Sequence, residues 1–167
     1  MGMSVTISAA KAQDAEHILK LQYLCYQNEA EVYGDYSIAP LTQTLDELRT
    51  ELEGGHGLVA RLGDEVVASV RGVADATGTA GISRLIVHPR LRRHGLGGRL
   101  LDAIEAHFAA EPSVERFQLV TGHRNEGNLR LYRGRGYVPV SSEEAGPRLT
   151  VVTLRKDAKA GLHAAGV

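Results

Sequence analysis

The sequence predicts an α/β protein: a mixed, mostly antiparallel sheet of about seven strands flanked by about four helices, in the order β α α β β β α β α β β. Three observations carry this. Stretches of period-two hydrophobicity alternate with stretches at helical spacing. Three strands follow one another with only tight turns between them, in "LVARLGDEVVASVRGV" and its continuation past "ATGT". Strands then alternate with helices, which places helices on the faces of the sheet.

"VTISAA" (Val5 to Ala10) supplies the first strand. From Gln13 to about Glu31, Ile18, Leu21, Leu24 and Cys25 recur at three- and four-residue spacings, which predicts a helix. "YGDYSIAPL" (Tyr33 to Leu41) carries Gly, Asp and Pro and reads as a loop. Thr44 to Glu47 is a capping box that opens a second helix striped by Leu45, Leu48 and Leu52. The hairpin follows, Leu58 to Leu62 and Val66 to Val73 about a Gly63-Asp64 turn. Ala80 to Val87 is a fourth strand, closed by His88-Pro89. A third helix runs from about Gly97 to Ala110 with Leu100, Leu101, Ile104 and Phe108 on one face. Val114 to Gly122 is a fifth strand, and Glu126 to Arg133 a fourth helix. Tyr137 to Val140 and Leu149 to Leu154 are closing strands.

Residues 1–156 read as one domain, and residues 157–167 as a flexible tail. The 167 residues carry a formal net charge of -1, so no overall field favours nucleic acid or a membrane surface. No apolar stretch is long enough to span a bilayer, and a signal-peptide core is missing from the N-terminal segment. Met1-Gly2 with Thr6 fits the myristoylation pattern formally, but Val5 and Ile7 read better as a strand. The single cysteine, Cys25, rules out a disulfide within the chain and suits a cytoplasmic location. Cys25 reads as a packed thiol with no activating partner. The histidines His17, His88, His94, His107 and His163 show no metal-ligand spacing, so no metal is expected.

The stretch with the most chemistry is "HPRLRRHGLGGRLLDAIEAHF" (His88 to Phe108). A strand ends, and a basic loop opens an amphipathic helix. The first turn of a helix offers unpaired N–H groups and the positive end of the macrodipole. Glycines let the backbone approach an anion. Arg84, Arg90, Arg92, Arg93 and Arg99 occur with no acidic residue between Ile82 and Leu101. This suits a phosphate or pyrophosphate. The lysine of a P-loop is missing, and Leu100 stands where a dinucleotide fingerprint needs its third glycine.

Val87-x-Pro89-x-x-Arg92-x-x-Gly95-x-Gly97 resembles the acetyl-CoA motif R/Q-x-x-G-x-G/A of the GNAT superfamily, the GCN5-related N-acetyltransferases. "NEGNLRLYRGRGY" (Asn125 to Tyr137) resembles that family's later motif, and the order of elements agrees along nearly the whole chain. The resemblance implies the GNAT fold and acetyl-CoA as cosubstrate. It implies that the pyrophosphate sits on Arg92, Arg93, His94, Gly95, Leu96 and Gly97. It places the pantetheine arm along Leu85, Ile86 and Val87 and against Asn125. Tyr132 matches the tyrosine that protonates the departing thiolate, a role a nearby hydroxyl suits.

One departure from the family pattern concerns the base. The fourth strand, "GISRLIV", lacks the glutamate that many relatives use to deprotonate the acceptor. Glu29, Glu31, His56 and His123 are candidates by residue type only. For the acceptor, Glu29, Tyr33, Arg71 and Arg84 are the candidate contacts. Seven acidic residues against one Arg49 between Asn28 and Glu53 suit a cationic amine, although most read as solvated helix faces. Arg71 and Arg84, on neighbouring strands, suit an acceptor carboxylate instead. The expected activity is transfer of acetyl to the amine of a small molecule by direct attack in a ternary complex. The alternatives are a non-catalytic acyl-CoA-binding or sensing module on the same fold, or a protein or peptide N-acetyltransferase. A homodimer is compatible with the resemblance.

Overall fold

The computed structural model describes residues 4–158. The N-terminal Met1-Gly2 and most of the expected tail, His163 included, lie outside the described residues. The strands are β1 (Val5–Ala9), β2 (His56–Leu62), β3 (Glu65–Ala74), β4 (Thr79–Val87), β5 (Arg116–Gly122), β6 (Val138–Gly146) and β7 (Leu149–Asp157). The helices are α1 (Ala15–Tyr33), α2 (Ala39–Thr42), α3 (Leu45–Gly54), α4 (Leu96–Ala109) and α5 (Glu126–Gly134). The strands form one mixed sheet in the order β1-β2-β3-β4-β5-β7-β6. Two compact units divide the chain: residues 4–72 with Arg84–Ile104, and Val73–Ser83 with residues 105–158.

In the first unit, β1 and β2 pair antiparallel from Val5↔Leu62 to Ala9↔Leu58. The β2–β3 hairpin turns at Gly63-Asp64, as the sequence predicts. Its core joins Ala15, Ile18, Leu19 and Leu21 of α1 to Leu48 and Leu52 of α3, Val59, Val66 and Ile86. Burying aliphatic side chains of this size is worth about 1.5–3 kcal/mol each. The buried Asp14, one residue ahead of α1, forms an ion pair with Arg61. Helix α1 ends at Gly34, whose φ of +65° lets its N–H cap the carbonyls of Ala30 and Glu31.

The region after α1 differs from the sequence reading. Tyr33 is not a loop residue; it closes α1 and is buried. The segment after it contains the short helix α2, which the Gly, Asp and Pro signals hid. Pro40 sits in the first turn of α2, where a proline has no N–H to lose. The capping box of α3 forms as expected: Glu47 N–H donates to Thr44 Oγ1 at 3.2 Å, and Thr44 N–H to Glu47 Oε1 at 2.8 Å.

In the second unit, β4 runs parallel to β5 through Thr79–Gly81 against Arg116–Gln118. Strand β7 pairs antiparallel with β5 from Arg116↔Asp157 to Gly122↔Val151. β6 extends six residues beyond the expected Val140, to Gly146. "SSEEAG" has no apolar alternation, and every residue of β6 is exposed. Pairing with β7 alone holds this edge strand, with Pro139 beside a register shift, where a missing N–H is tolerated. The buried side chains include Phe108, Val114, Phe117, Leu119, Tyr132, Tyr137 and Leu154. Tyr137 donates to Glu105 Oε2 at 2.8 Å, and Lys156 Nζ meets Glu105 Oε1 at 2.8 Å, so the carboxylate is satisfied from two sides.

Candidate active site

The basic loop takes the form its glycines permit. Pro89–Leu91 is a single 3-10 turn, and the N–H of Arg90 donates to Nδ1 of His88 at 3.1 Å. Arg93 and Gly95 have φ of +70° and +74°. A Cβ on Gly95 would meet no heavy atom within 4 Å, so the space beside this backbone is open. Arg92, Arg93, His94 and Gly95 are exposed, and the first turn of α4 holds no acidic residue. Leu96 points the other way and is buried, so it anchors the loop and offers only backbone outward. Open backbone, positive charge and a helix start fit an anionic phosphate group.

The loop is tied back to α1 through Cys25. The Cys25 thiol donates to the Val87 carbonyl at 3.4 Å, and the Arg92 guanidinium lies against it. Burial pushes the thiol pKa up, and Arg92 partly opposes the shift. Cys25 thus has polar neighbours that the sequence does not reveal, but burial outweighs the Arg92 charge. A thiol held protonated in this way is a packing group rather than a nucleophile.

Three of the four candidate acceptor residues lie in one polar cluster. Arg71, in the centre of β3, is 3% exposed and donates from Nε to Glu51 Oε1 at 2.7 Å. Its Nη2 reaches Gln43 Oε1 at 3.3 Å. Gln43 in turn donates to Glu51 Oε2 at 2.7 Å and accepts from Gln22 at 3.0 Å. Arg84 sits inside β4 with a φ of +54°. A left-handed residue within a strand re-aims its side chain as a bulge does. For a non-glycine residue this conformation costs about 1–3 kcal/mol. Glu29 and Tyr26 of α1 face Arg84. Desolvation pushes the Tyr26 hydroxyl up to about 12, with Arg84 and Arg71 opposing that rise. Desolvation also raises the Glu29 carboxyl, and Arg84 draws it back down. Two guanidinium nitrogens in this cluster, Arg71 Nη1 and Arg84 Nε, are buried without a hydrogen-bond partner among the described residues.

The sequence reading named Glu29, Arg71 and Arg84, counted Glu51 only among the acidic residues of the region, and missed Gln22, Tyr26 and Gln43. A signal was present: Gln22, Tyr26 and Glu29 follow at steps of four and three, one face of a helix. Four of the seven acidic residues of this region have partners close by. Asp35 accepts from Ser37, Asp46 pairs with Arg49 at 3.5 Å, Glu47 caps α3 and Glu51 holds Arg71.

Asn125 and Tyr132 belong to α5 in the second unit. Asn125 is the N-cap of α5, with Oδ1 accepting from the Asn128 N–H at 3.0 Å. Tyr132 is buried and its ring lies 6.1 Å from that of Tyr137, not on the surface as a plain helix tyrosine would be. His123, a candidate base, is engaged by the backbone of Thr150. Glu31 is exposed, and His56 begins β2. Among the described residues no group of His, Cys, Asp and Glu is arranged to hold a metal ion.

The fold and the exposed basic loop are compatible with an enzyme that takes an acyl group from a phosphate-bearing donor. The chain belongs to the acetyltransferase (GNAT) family, whose model matches residues 15–137, and the acetyl donor of that family is acetyl-CoA. Solved structures agree on the fold. A GNAT-family acetyltransferase from Streptococcus pneumoniae is 21% identical at a TM-score of 0.77, covering 92% of this chain and 99% of that one. yncA from Salmonella typhimurium, solved with its cofactor acetyl-CoA, is 17% identical at 0.75, covering 93% and 94%. The ribosomal-protein-S18-alanine N-acetyltransferase from Escherichia coli is 14% identical at 0.76, again covering 93% and 94%. Among curated proteins none matches the chain. No helix among the described residues is long and apolar enough to cross a membrane.

Proposed function

We propose that this acetyltransferase moves acetyl from acetyl-CoA to the amine of a small molecule, by direct attack and without a covalent enzyme intermediate. The observation that carries the reading is the placement of Glu29. It is a half-buried carboxyl on α1, set beside Arg84 and Tyr26, and burial raises its pKa. Such a carboxyl accepts a proton from an ammonium more readily than a solvated one does. It fills the role left open by the missing carboxylate on β4.

Acetyl-CoA supplies an activated thioester. The chain's own groups do the rest. The N–H groups at the start of α4, with Arg93 and Arg92, bind phosphate. The backbone of Leu85, Ile86 and Val87 orients the donor, and Asn125 assists. Glu29 takes the proton of the acceptor nitrogen. The Tyr132 hydroxyl gives a proton to the departing sulfur. In this reading Cys25 and Lys156 take no part.

Thiol release from acetyl-CoA over a panel of amines, amino acids, aminoglycosides and peptides tests the reading, with acetyl-CoA titration beside it. Amine-dependent release that Tyr132→Phe suppresses, with acetyl-CoA affinity retained, is the expected result. Tight acetyl-CoA binding with no release on any amine would favour the sensing module. Release only on peptides would favour a protein acceptor.

A further inference from the structure

We infer that Arg71 and Arg84 together hold a carboxylate of the acceptor, so that the molecule acetylated is an amine carrying its own carboxylate, of the α-amino acid class. The inference rests on the N-acetyltransferase reading and deepens it. Buried polar groups in folded proteins nearly always find partners. Here two buried donors do not: Nη1 of Arg71 and Nε of Arg84. Both belong to guanidinium groups, whose planar donors suit a carboxylate. The rest of Arg71 is already committed, with Nε on Glu51 and Nη2 on Gln43. What remains is Nη1, unmet and within the electrostatic reach of the like-charged Arg84.

The charges around the pair match a zwitterion. Glu51 balances Arg71, and Glu29 lies within the electrostatic reach of Arg84. An incoming amino acid adds one negative and one positive group. Its carboxylate satisfies the two orphan donors, and its ammonium faces Glu29, the base that must deprotonate it. The third orphan of the cluster's surroundings, Gln22 Oε1, is an acceptor and does not compete for the carboxylate. A peptide N-terminus fits poorly, because an amide takes the place of that carboxylate and leaves the guanidinium donors unmet.

The test is a matched panel: the twenty L-amino acids, each beside its C-terminal amide, assayed by thiol release. The amide keeps the amine but turns an NH2 donor toward two guanidinium groups. At least one free amino acid should be acetylated, with kcat/KM about a hundredfold above its amide. Arg84→Gln should narrow that ratio to within about threefold, and Arg84→Lys should restore part of it, the charge being kept. Amides or simple alkylamines acetylated as well as the free acids would overturn the inference while leaving N-acetylation intact. If no amine is turned over, the N-acetyltransferase reading fails, and a second measurement still decides the site. Thermal stabilisation by any of twenty N-acetyl-L-amino acids, lost in Arg84→Gln, would support it; stabilisation by none would overturn it.

Discussion

The loop of residues 88–97, proposed to take the donor, and the cluster around Arg71, proposed to take the acceptor, are written into the chain in opposite ways. The loop is contiguous, exposed and built on backbone: Gly95 gives it its turn, and four consecutive residues, Arg92 to Gly95, stand in solvent. The cluster is scattered over α1, the Gln43 linker, α3, β3 and β4, and it runs from buried Gln22 and Arg71 out to half-buried Glu29 and exposed Glu51. The loop needs little from the rest of the protein beyond a strand before it and a helix after it. The cluster exists only because the first unit packs. In the proposed reading, a donor common to a family is met by local backbone, whereas the acceptor is met by side chains that tertiary packing brings together.

The largest expected effect separates them through the base. Glu29→Gln should lower kcat by about a hundredfold or more, while acetyl-CoA affinity stays within about twofold. The wild-type pH profile sharpens this. The base works only when ionised, so kcat/KM should be flat above the Glu29 pKa and fall tenfold per unit below it. Burial raises that pKa, so the limb should lie above the ordinary glutamate range. In Glu29→Gln the limb should vanish. A limb that persists would assign it to another group.

A stability asymmetry comes next. Arg71 is buried, while the Glu51 side chain is 41% exposed. Removing Glu51 strands a buried charge; removing Arg71 lets the carboxylate return to water. Glu51→Leu should therefore cost about 3 kcal/mol in urea unfolding and Arg71→Met about 1–2 kcal/mol. The reverse order would mean that the guanidinium is less enclosed than its surroundings indicate.

For the loop, Gly95→Ala places a Cβ on a left-handed residue and costs about 1–2 kcal/mol. Acetyl-CoA affinity should fall about tenfold if the loop flattens to relieve that strain. Unchanged affinity would show that the turn at Gly95 does not shape the site. The smallest effect belongs to the link between loop and helix α1. Cys25 should alkylate more slowly than a free thiol at pH 7.5, since burial raises its pKa. Arg92→Gln should slow it further, because Arg92 favours the thiolate.

The difference in encoding also explains how far the sequence could be read. Elements governed by local rules were legible: the Thr44 capping box, the Gly63-Asp64 hairpin turn, and the α4 stripe of Leu100, Leu101, Ile104 and Phe108. The short helix α2 was masked because Pro40 signals a break unless its place in the first turn is known. The outer half of β6 was masked because its pairing with β7 leaves no hydrophobic imprint. In the site, the basic glycine loop showed itself as a run of residues. Arg71 and Arg84 were visible as neighbours on adjacent strands. Tyr26 and Gln43 were not, since their roles arise from burial and from partners far along the chain.

The most direct test of the division between the two halves compares two variants on two quantities: the Kd for acetyl-CoA and the acceptor KM. The variants are the double change R92Q/R93Q in the loop and R84Q in the cluster. The account predicts that the loop variant raises the Kd about tenfold or more, with a weaker salt dependence, and spares the acceptor KM. It predicts that R84Q raises the acceptor KM and spares the Kd. Loss of acetyl-CoA affinity in R84Q equal to that in the loop variant would contradict it, and would make the cluster part of the donor site.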